Sequence, residues 1–165
     1  MSGRAFQLVS ELPPSILLGA AADAAGRTSR YASLKNAIKA YVIVEVNQGN
    51  AATVALTLLQ AKDVSGTSSK AISAVVPIYL ANNSGVTDAW VQQTSALSYT
   101  TDATLQDKFV IFEILPEAAL DLANGFRTIA VQTGASNAAN ITRAELVYLA
   151  ATKALGASQP TTWAN

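Results

Sequence analysis

The sequence predicts an all-β protein: a single β-sandwich or jelly-roll-like domain with one short helix and an irregular N-terminal arm. A length of 165 residues suits one domain. From residue 40 onward, short stretches of alternating apolar and polar residues recur between turn-forming residues. The sequence contains about eight such predicted strands, a number typical of a sandwich. We divide the chain into an arm with the first strand or strands (1–40), a sandwich (41–152) and a C-terminal tail (153–165).

The first strong strand signal is "YVIVEVNQ" (residues 41–48), whose valines fall on one face because they occupy alternate positions. "TVALTLLQA" (residues 53–61) repeats the pattern after a break at Gly49 and Asn50. Glycine and asparagine are common in tight turns. The two segments are therefore predicted to pair as neighbouring strands joined by a short turn.

Three further segments are predicted strands. "AISAVVPIYLA" (71–81) contains Pro77, which lacks a backbone donor and favours an edge position or a bulge. "AWVQQTSALSYTT" (89–101) is polar and is predicted to form one or two short strands. "KFVIFEILP" (108–116) is the most apolar run, which indicates a central core strand.

A helix is predicted over "PEAALDLANG" (116–125), because proline is favoured at a first helical position and glycine just after a helix end. The next stretch, "FRTIAVQTGASNAANITRAELVYLA" (126–150), places two alternating segments around a loop of small and polar residues. Such a loop suits close contact with a neighbouring subunit, and an ordinary hairpin loop explains it equally well.

The N-terminal forty residues are less regular. Pro13 and Pro14 interrupt regular structure. In "YASLKNAIKAY" (31–41) the large side chains have helical spacing, but a strand at 31–34 followed by a turn is preferred because the β pattern resumes at once. An Asn-Ala-Ala triplet precedes a strand twice, in "GNAATVAL" and in "SNAANITRAEL", without a regular repeat period.

Composition indicates a surface built for contact with other proteins. Half of the residues are hydrophobic and only 13% are charged, whereas about a quarter are charged in ordinary soluble domains. Large uncharged surfaces usually mark interfaces; the alternative is an alanine-rich monomer. The 11 basic and 11 acidic residues form no block of like charge. This argues against binding to nucleic acid or electrostatic anchoring to a membrane.

The chain has no cysteine and no histidine. Thiol catalysis, a Ser-His-Asp triad and a zinc site with His or Cys ligands are therefore excluded. Phosphate-binding glycine loops and calcium loops are also absent. Two carboxylate pairs, Asp102 with Asp107 and Glu117 with Asp121, are better explained by turns and a helix N-terminus than by acid-base chemistry. We predict no catalytic residue, no metal site and no cofactor.

The first fifteen residues lack the apolar core of a signal peptide. The longest apolar run (16–26) is too short for a bilayer and contains Asp23. The expectation is a protein made in a cytoplasm and kept there until it assembles.

Candidate interface residues lie in three places: apolar residues of the arm, asparagines of the small-residue loop, and a tail tryptophan that needs a surface to cover it. They are Phe6, Leu17, Leu18, Asn137, Asn140 and Trp163.

Four segments resemble small virion proteins of tailed bacteriophages. These are "SLKNAIKAYVIVEVNQGNAATVALTLLQAKDVSGTSSKAI" (33–72), "LSYTT" (97–101), "ALDLANGF" (119–126) and "TGASNAANIT" (133–142). The resemblance extends over roughly residues 33–150 and consists of strands and turn residues. It is to the proteins of the head, where the family looks like capsid decoration, or cement, proteins.

The resemblance implies a structural role on the virion. Decoration proteins bind the outer capsid lattice, often as trimers, and clamp neighbouring capsomers against the pressure of the packaged DNA. The implied partners are the major capsid protein and further copies of this chain, with a trimer favoured. The family supplies no functional residue for a particular position. Alternative roles are a tail, connector or fibre-base protein, or a carbohydrate- or receptor-binding sandwich with an aromatic platform around Trp90; an enzyme ranks last.

Overall fold

The chain folds into a sandwich of two antiparallel β-sheets. The computed structural model describes residue 12 and residues 14–150. Its elements are β1 (Pro14–Ala22), β2 (Arg27–Thr28), β3 (Ala32–Ser33), β4 (Ala37–Gln48), β5 (Ala55–Ala61), β6 (Lys70–Ala71), β7 (Val76–Asn82), β8 (Val91–Ala96), β9 (Ser98–Thr100), β10 (Asp107–Ile114), helix α1 (Pro116–Ala119), a 3-10 turn (Leu122–Asn124), β11 (Thr128–Thr133) and β12 (Asn140–Ala150). The all-β prediction is confirmed.

The first sheet has the strand order β1-β12-β4-β10-β7-β8, and the second has the order β2-β11-β5-β6. β3 also pairs with β11, and β9 also pairs with β5. "KFVIFEILP" forms most of β10, which lies in the interior of the first sheet as predicted.

The core lies between the sheets and is built by strict alternation. Every second residue of β4 and β10 is buried from Ala40 and from Lys108 onward. Leu56 and Leu58 of β5 face them from the second sheet and are fully buried. Because successive side chains of a strand point to opposite faces, the alternation also leaves a second set of side chains on the solvent side of each sheet.

The predicted pairing of residues 41–48 with residues 53–61 is wrong. β4 belongs to the first sheet and β5 to the second, so the chain crosses between sheets at residues 49–54. The loop between β11 and β12 crosses back in the same way. Alternation identifies which side chains are buried, but it does not identify the sheet to which a strand belongs.

The two crossing loops, each with an Asn-Ala-Ala triplet, lie against one another. The Asn140 side-chain amide donates to the carbonyl of Ala52 at 2.7 Å, and its Oδ1 accepts from the backbone N–H of Asn50 at 2.8 Å. A Cβ on Gly49 would lie 2.6 Å from the carbonyl oxygen of Ala139. The small residues are therefore required for close packing within the chain.

The N-terminal region is more regular than predicted. β1 begins at Pro14, where a missing donor is tolerated at a strand start, and pairs along β12. β4 runs across the expected boundary at residue 40. Residues 14–40 are thus part of the sandwich, and only the segment before them remains as a candidate arm. The predicted strand within residues 31–34 and the turn after it are confirmed by β3.

The strand predictions around Pro77 are confirmed. β7 and β8 change register between Val76 and Ile78, which places Pro77 at a bulge. The polar segment after it forms two short strands, β8 and β9, one in each sheet.

The predicted helix over residues 116–125 begins and ends where expected but is interrupted. α1 has only four residues, and Leu120 leaves it in an extended conformation. The 3-10 turn then ends at Gly125, whose φ of 83° is one that glycine adopts readily.

A buried lysine fixes the loop between β9 and β10. Lys108 is fully buried, and its Nζ donates to Oε1 of Gln48 at 2.7 Å and to the carbonyls of Thr104 at 2.8 Å and Asp102 at 3.0 Å. It also forms an ion pair with the Asp102 carboxylate at 2.9 Å. The ammonium therefore satisfies groups that would otherwise lack partners.

This ion pair predicts a specific dependence of stability on pH. The hydrogen bond from Lys108 is the main cause that lowers the pKa of Asp102 below its ordinary value of 3.8. A lowered folded-state pKa gives stability that is present above the unfolded-state pKa and lost as the pH falls through the folded-state value. We expect Asp102→Asn to flatten the loss of stability below about pH 4, measured by urea unfolding between pH 2 and 7. Asp88→Asn, at an exposed aspartate, is the control. If the free energy of unfolding falls equally steeply at low pH in Asp102→Asn and in the native chain, the ion pair with Lys108 is not the cause of the acid dependence.

Candidate functional site

The solvent side of the first sheet is unusually apolar. Its central strands present half-buried aromatic and aliphatic side chains, which we call the apolar outer face: Tyr41, Ile43, Tyr79, Phe109, Ile111 and Val147. In an antiparallel sheet with one solvated face, these positions are ordinarily polar. An extended apolar surface of this kind is a candidate site of contact with another molecule.

The apolar outer face is continuous across the strands. Ile111 of β10 lies directly opposite Ile43 of β4 on one side and Tyr79 of β7 on the other. Glu145 continues the row on β12, and Ile16 of β1, which is 49% exposed, completes it. Side chains directly opposite one another on a sheet face are in contact distance, so the row forms one surface.

The second sheet has a contrasting outer face. There Thr57 lies opposite Gln132, and Gln132 lies opposite Thr28. The Gln132 side-chain amide donates to the Thr28 hydroxyl at 3.1 Å. This polar face is typical of a solvated sheet and provides control positions for the apolar outer face.

Two charged residues beside Tyr41 on the apolar outer face are paired with one another. Lys39 binds Glu113 at 2.7 Å and lies over the Tyr41 ring at 5.4 Å. The hydrogen bond that Lys39 donates to the Glu113 carboxylate is the main cause that raises the pKa of Lys39 above its ordinary value. Charges that are already paired lower the cost of covering the surface around them.

A depression of about 210 Å³ lies within this face. Ile43 and Phe109 supply its apolar lining, and Glu45, Arg143 and Glu145 supply its charged lining. Arg143 forms an ion pair with Glu145, and its Nη1 lies 4.0 Å from the Glu45 carboxylate.

An exposed tryptophan extends the surface towards the β8 edge. The Trp90 side chain is 48% exposed, and its ring centroid lies 6.5 Å from that of Phe109 at an interplanar angle of 49°. Val86 and Val91 near it are 81% and 58% exposed. The aromatic platform predicted around Trp90 for a carbohydrate- or receptor-binding protein therefore lies beside the apolar outer face.

The four predicted interface residues that the structure describes do not lie at this surface. Leu17 and Leu18 are buried in the core of the sandwich, so their side chains are not available to a partner. Asn140 is fully buried and binds the neighbouring crossing loop, and Asn137 is half-buried in the turn before β12. Phe6 and Trp163 lie outside the described residues.

Three of the four carboxylates in the two predicted pairs have partners that explain them structurally. Asp102 binds Lys108, and the Asp107 carboxylate accepts from the Asn47 side-chain amide at 2.6 Å. Asp121 binds Lys70 at 2.7 Å. Among the residues that the structure describes, no three His, Cys, Asp or Glu side chains are grouped as metal ligands. None of the described helices has the length and apolar character needed to span a membrane.

The apolar outer face was not predicted, although the sequence holds a signal for it. "YVIV" and "FVIF" carry apolar residues at consecutive positions, so each places them on both sides of its strand. Consecutive apolar residues are equally expected for a strand covered on both faces.

Comparisons with known proteins give one structural similarity. No protein-family model matches the chain, and no curated protein matches it. Among solved structures, it is similar to the SPBc2 prophage-derived protein YomS, with a TM-score of 0.46 and 9% sequence identity over 83% of this chain and 92% of that chain. A similarity of this size does not define a function.

Proposed function

We propose that this chain is a non-enzymatic structural protein of a bacteriophage particle, a capsid decoration (cement) protein that binds the outside of the head. The observation that carries the proposal is the apolar outer face of the first sheet, which is broad, half-buried and flanked by the ion pairs Lys39–Glu113 and Arg143–Glu145. Apolar surface with few unpaired charges is characteristic of the central part of a protein interface.

The sequence resemblance and the composition support the same role. The resembling segments include most of β4 and β5 and both crossing loops, so they correspond to the framework of the sandwich. A low charge content limits the cost of covering large parts of the surface. Many copies on one lattice also bind with avidity, so a modest contact per copy is sufficient. The protein then acts as a homo-oligomer, with a trimer favoured, on the major capsid protein.

The test is binding to empty heads of the source virus. We expect Ile111→Lys to weaken co-sedimentation at least about 30-fold, since a residue at the centre of an interface contributes at least ~2 kcal/mol. Ile111 is half-buried on the outer side of the sheet, so a lysine there can extend its ammonium to water and the sandwich is expected to remain folded.

Gln132→Lys is the matched control. It introduces the same charge on the outer face of the second sheet, and it should bind heads like the native chain. Equal binding by Ile111→Lys and the native chain would remove the apolar outer face from the proposal. A native chain that does not bind heads at all would remove the capsid as its partner.

Two other functions have distinct signatures. A connector or tail protein is present in far fewer copies per particle than a decoration protein, so its copy number in purified virions separates them. A carbohydrate-binding module is favoured by one observation, the exposed Trp90 beside Phe109, because aromatic faces stack on the apolar faces of sugar rings. For a carbohydrate-binding module we expect the native chain to bind glycans and not heads. Trp90→Ala would then lose the glycan binding.

A further inference from the structure

We propose that the depression in the apolar outer face receives an arginine side chain from the partner protein. This inference deepens the proposed function, because the capsid protein would supply the arginine. It is carried by three features of one place: the charge balance of the lining, an incompletely paired carboxylate and an apolar floor.

The lining has an excess of negative charge. Glu45 and Glu145 contribute two carboxylates, and Arg143 contributes one guanidinium. Arg143 is closely paired with Glu145. Across the described part of the chain, the Glu45 carboxylate has one ion contact, at 4.0 Å from Arg143 Nη1, and no hydrogen bond. One more cation would complete two ion pairs at the site.

The position of Glu45 suits a side chain that is both apolar and cationic. Glu45 lies directly opposite Phe109, with Ile43 two residues earlier on the same strand face. An arginine entering here can pack its methylene groups on Ile43, place its guanidinium against the Phe109 ring and reach the Glu45 carboxylate with two parallel hydrogen bonds.

Arginine fits the site better than lysine or a sugar. Its guanidinium is planar, stacks on aromatic rings and binds carboxylates with two donors, whereas lysine presents a compact and strongly hydrated charge. A neutral sugar would leave the excess charge of the lining uncompensated. Elsewhere on the face, Asp107, two residues before Phe109, binds the Asn47 side-chain amide, and Lys39 and Glu113 are paired with one another. Neither contact supplies a cation to Glu45.

The test is an NMR titration of the isotope-labelled full-length chain with N-acetyl-arginine amide. N-acetyl-citrulline amide is the neutral control of the same shape, and methyl glucoside tests for a sugar site. We expect arginine to shift the backbone amides of Ile43, Phe109 and Glu145, and citrulline to bind several-fold more weakly. Glu45→Gln should weaken arginine binding about three- to fivefold, in line with a half-exposed ion pair. Glu117→Gln, at an exposed glutamate of α1, should leave it unchanged.

Three outcomes would overturn the inference: equal shifts from citrulline and arginine, unchanged binding in Glu45→Gln, or stronger shifts at the same amides from methyl glucoside. Binding of the same variants to heads separates the two proposals. If heads bind the native and Glu45→Gln chains equally and N-acetyl-arginine amide causes no NMR shifts, the inference is wrong and the decoration role stands. An arginine response without head binding removes the decoration role alone.

Discussion

Replacing Lys108 with methionine is expected to lower the free energy of unfolding by roughly 2–4 kcal/mol, because each buried acceptor that loses its donor costs about 1–3 kcal/mol. Lys108 is fully buried, and its ammonium satisfies Gln48 Oε1 and two backbone carbonyls besides the Asp102 carboxylate. Methionine fills a similar volume but donates no hydrogen bond, so Gln48 Oε1 and the Thr104 carbonyl would lose this donor. The Asp102 carbonyl would keep its hydrogen bond from Gln48 Nε2 at 2.7 Å. Equilibrium unfolding in urea at pH 7 measures the loss.

The matched control for Lys108→Met is Lys35→Met, at an exposed position in the turn before β4. Surface substitutions of this kind usually change stability by less than about 0.5 kcal/mol. If the free energy of unfolding of Lys108→Met lies within about 1 kcal/mol of that of the control, the buried ammonium does not stabilise the fold.

The second large effect is expected for Arg27→Met. Arg27 lies between the two sheets: it donates to the carbonyls of Gly19 and Ala21 at 2.8 Å each and to the carbonyl of Thr142 at 2.6 Å. Its Nε binds Oδ1 of Asp23 at 3.0 Å. Asp23 is fully buried, and its Oδ2 has no hydrogen-bond partner among the described residues. Removing the guanidinium would leave a buried carboxylate without a cation, at a cost of about 3–5 kcal/mol.

Thermal and urea unfolding of Arg27→Met measure this effect, with Arg127→Met at an exposed position as the control. The double variant with Asp23→Asn supplies an internal check. Because the neutral amide removes the buried charge, the double variant should lose less stability than the sum of the two single variants. Strictly additive losses would mean that Arg27 acts through its carbonyl contacts alone.

Local patterns in the sequence identified most strands, because burial follows directly from alternation. The same alternation in β10 places Lys108 in line with Val110 and Phe112, so its burial is readable from "KFVIFEI". The assignment of β4 and β5 to different sheets is not readable in this way. It depends on contacts between distant loops, such as Asn140 with Asn50.

The interface residues were harder to predict than the strands. Leu17 and Leu18 are adjacent, and a regular strand would expose one of them. Irregularities in the pairing of β1 with β12, between Ile16 and Leu18 and again beyond Leu18, accompany the burial of both. The apolar outer face was hard to predict for the opposite reason. Ile43 and Ile111 look like core residues in the sequence, but no layer of the described residues covers them, so they lie at the surface.

The most direct test of the central claim is hydroxyl-radical footprinting of the native chain, free and bound to empty heads. The account predicts that Tyr79, Phe109 and Trp90 are protected by the heads, whereas Tyr31 and Tyr99, outside the apolar outer face, are oxidised equally in both states. Heads that bind the protein while Tyr79 and Phe109 remain as reactive as in the free chain would contradict the claim that this face is the interface.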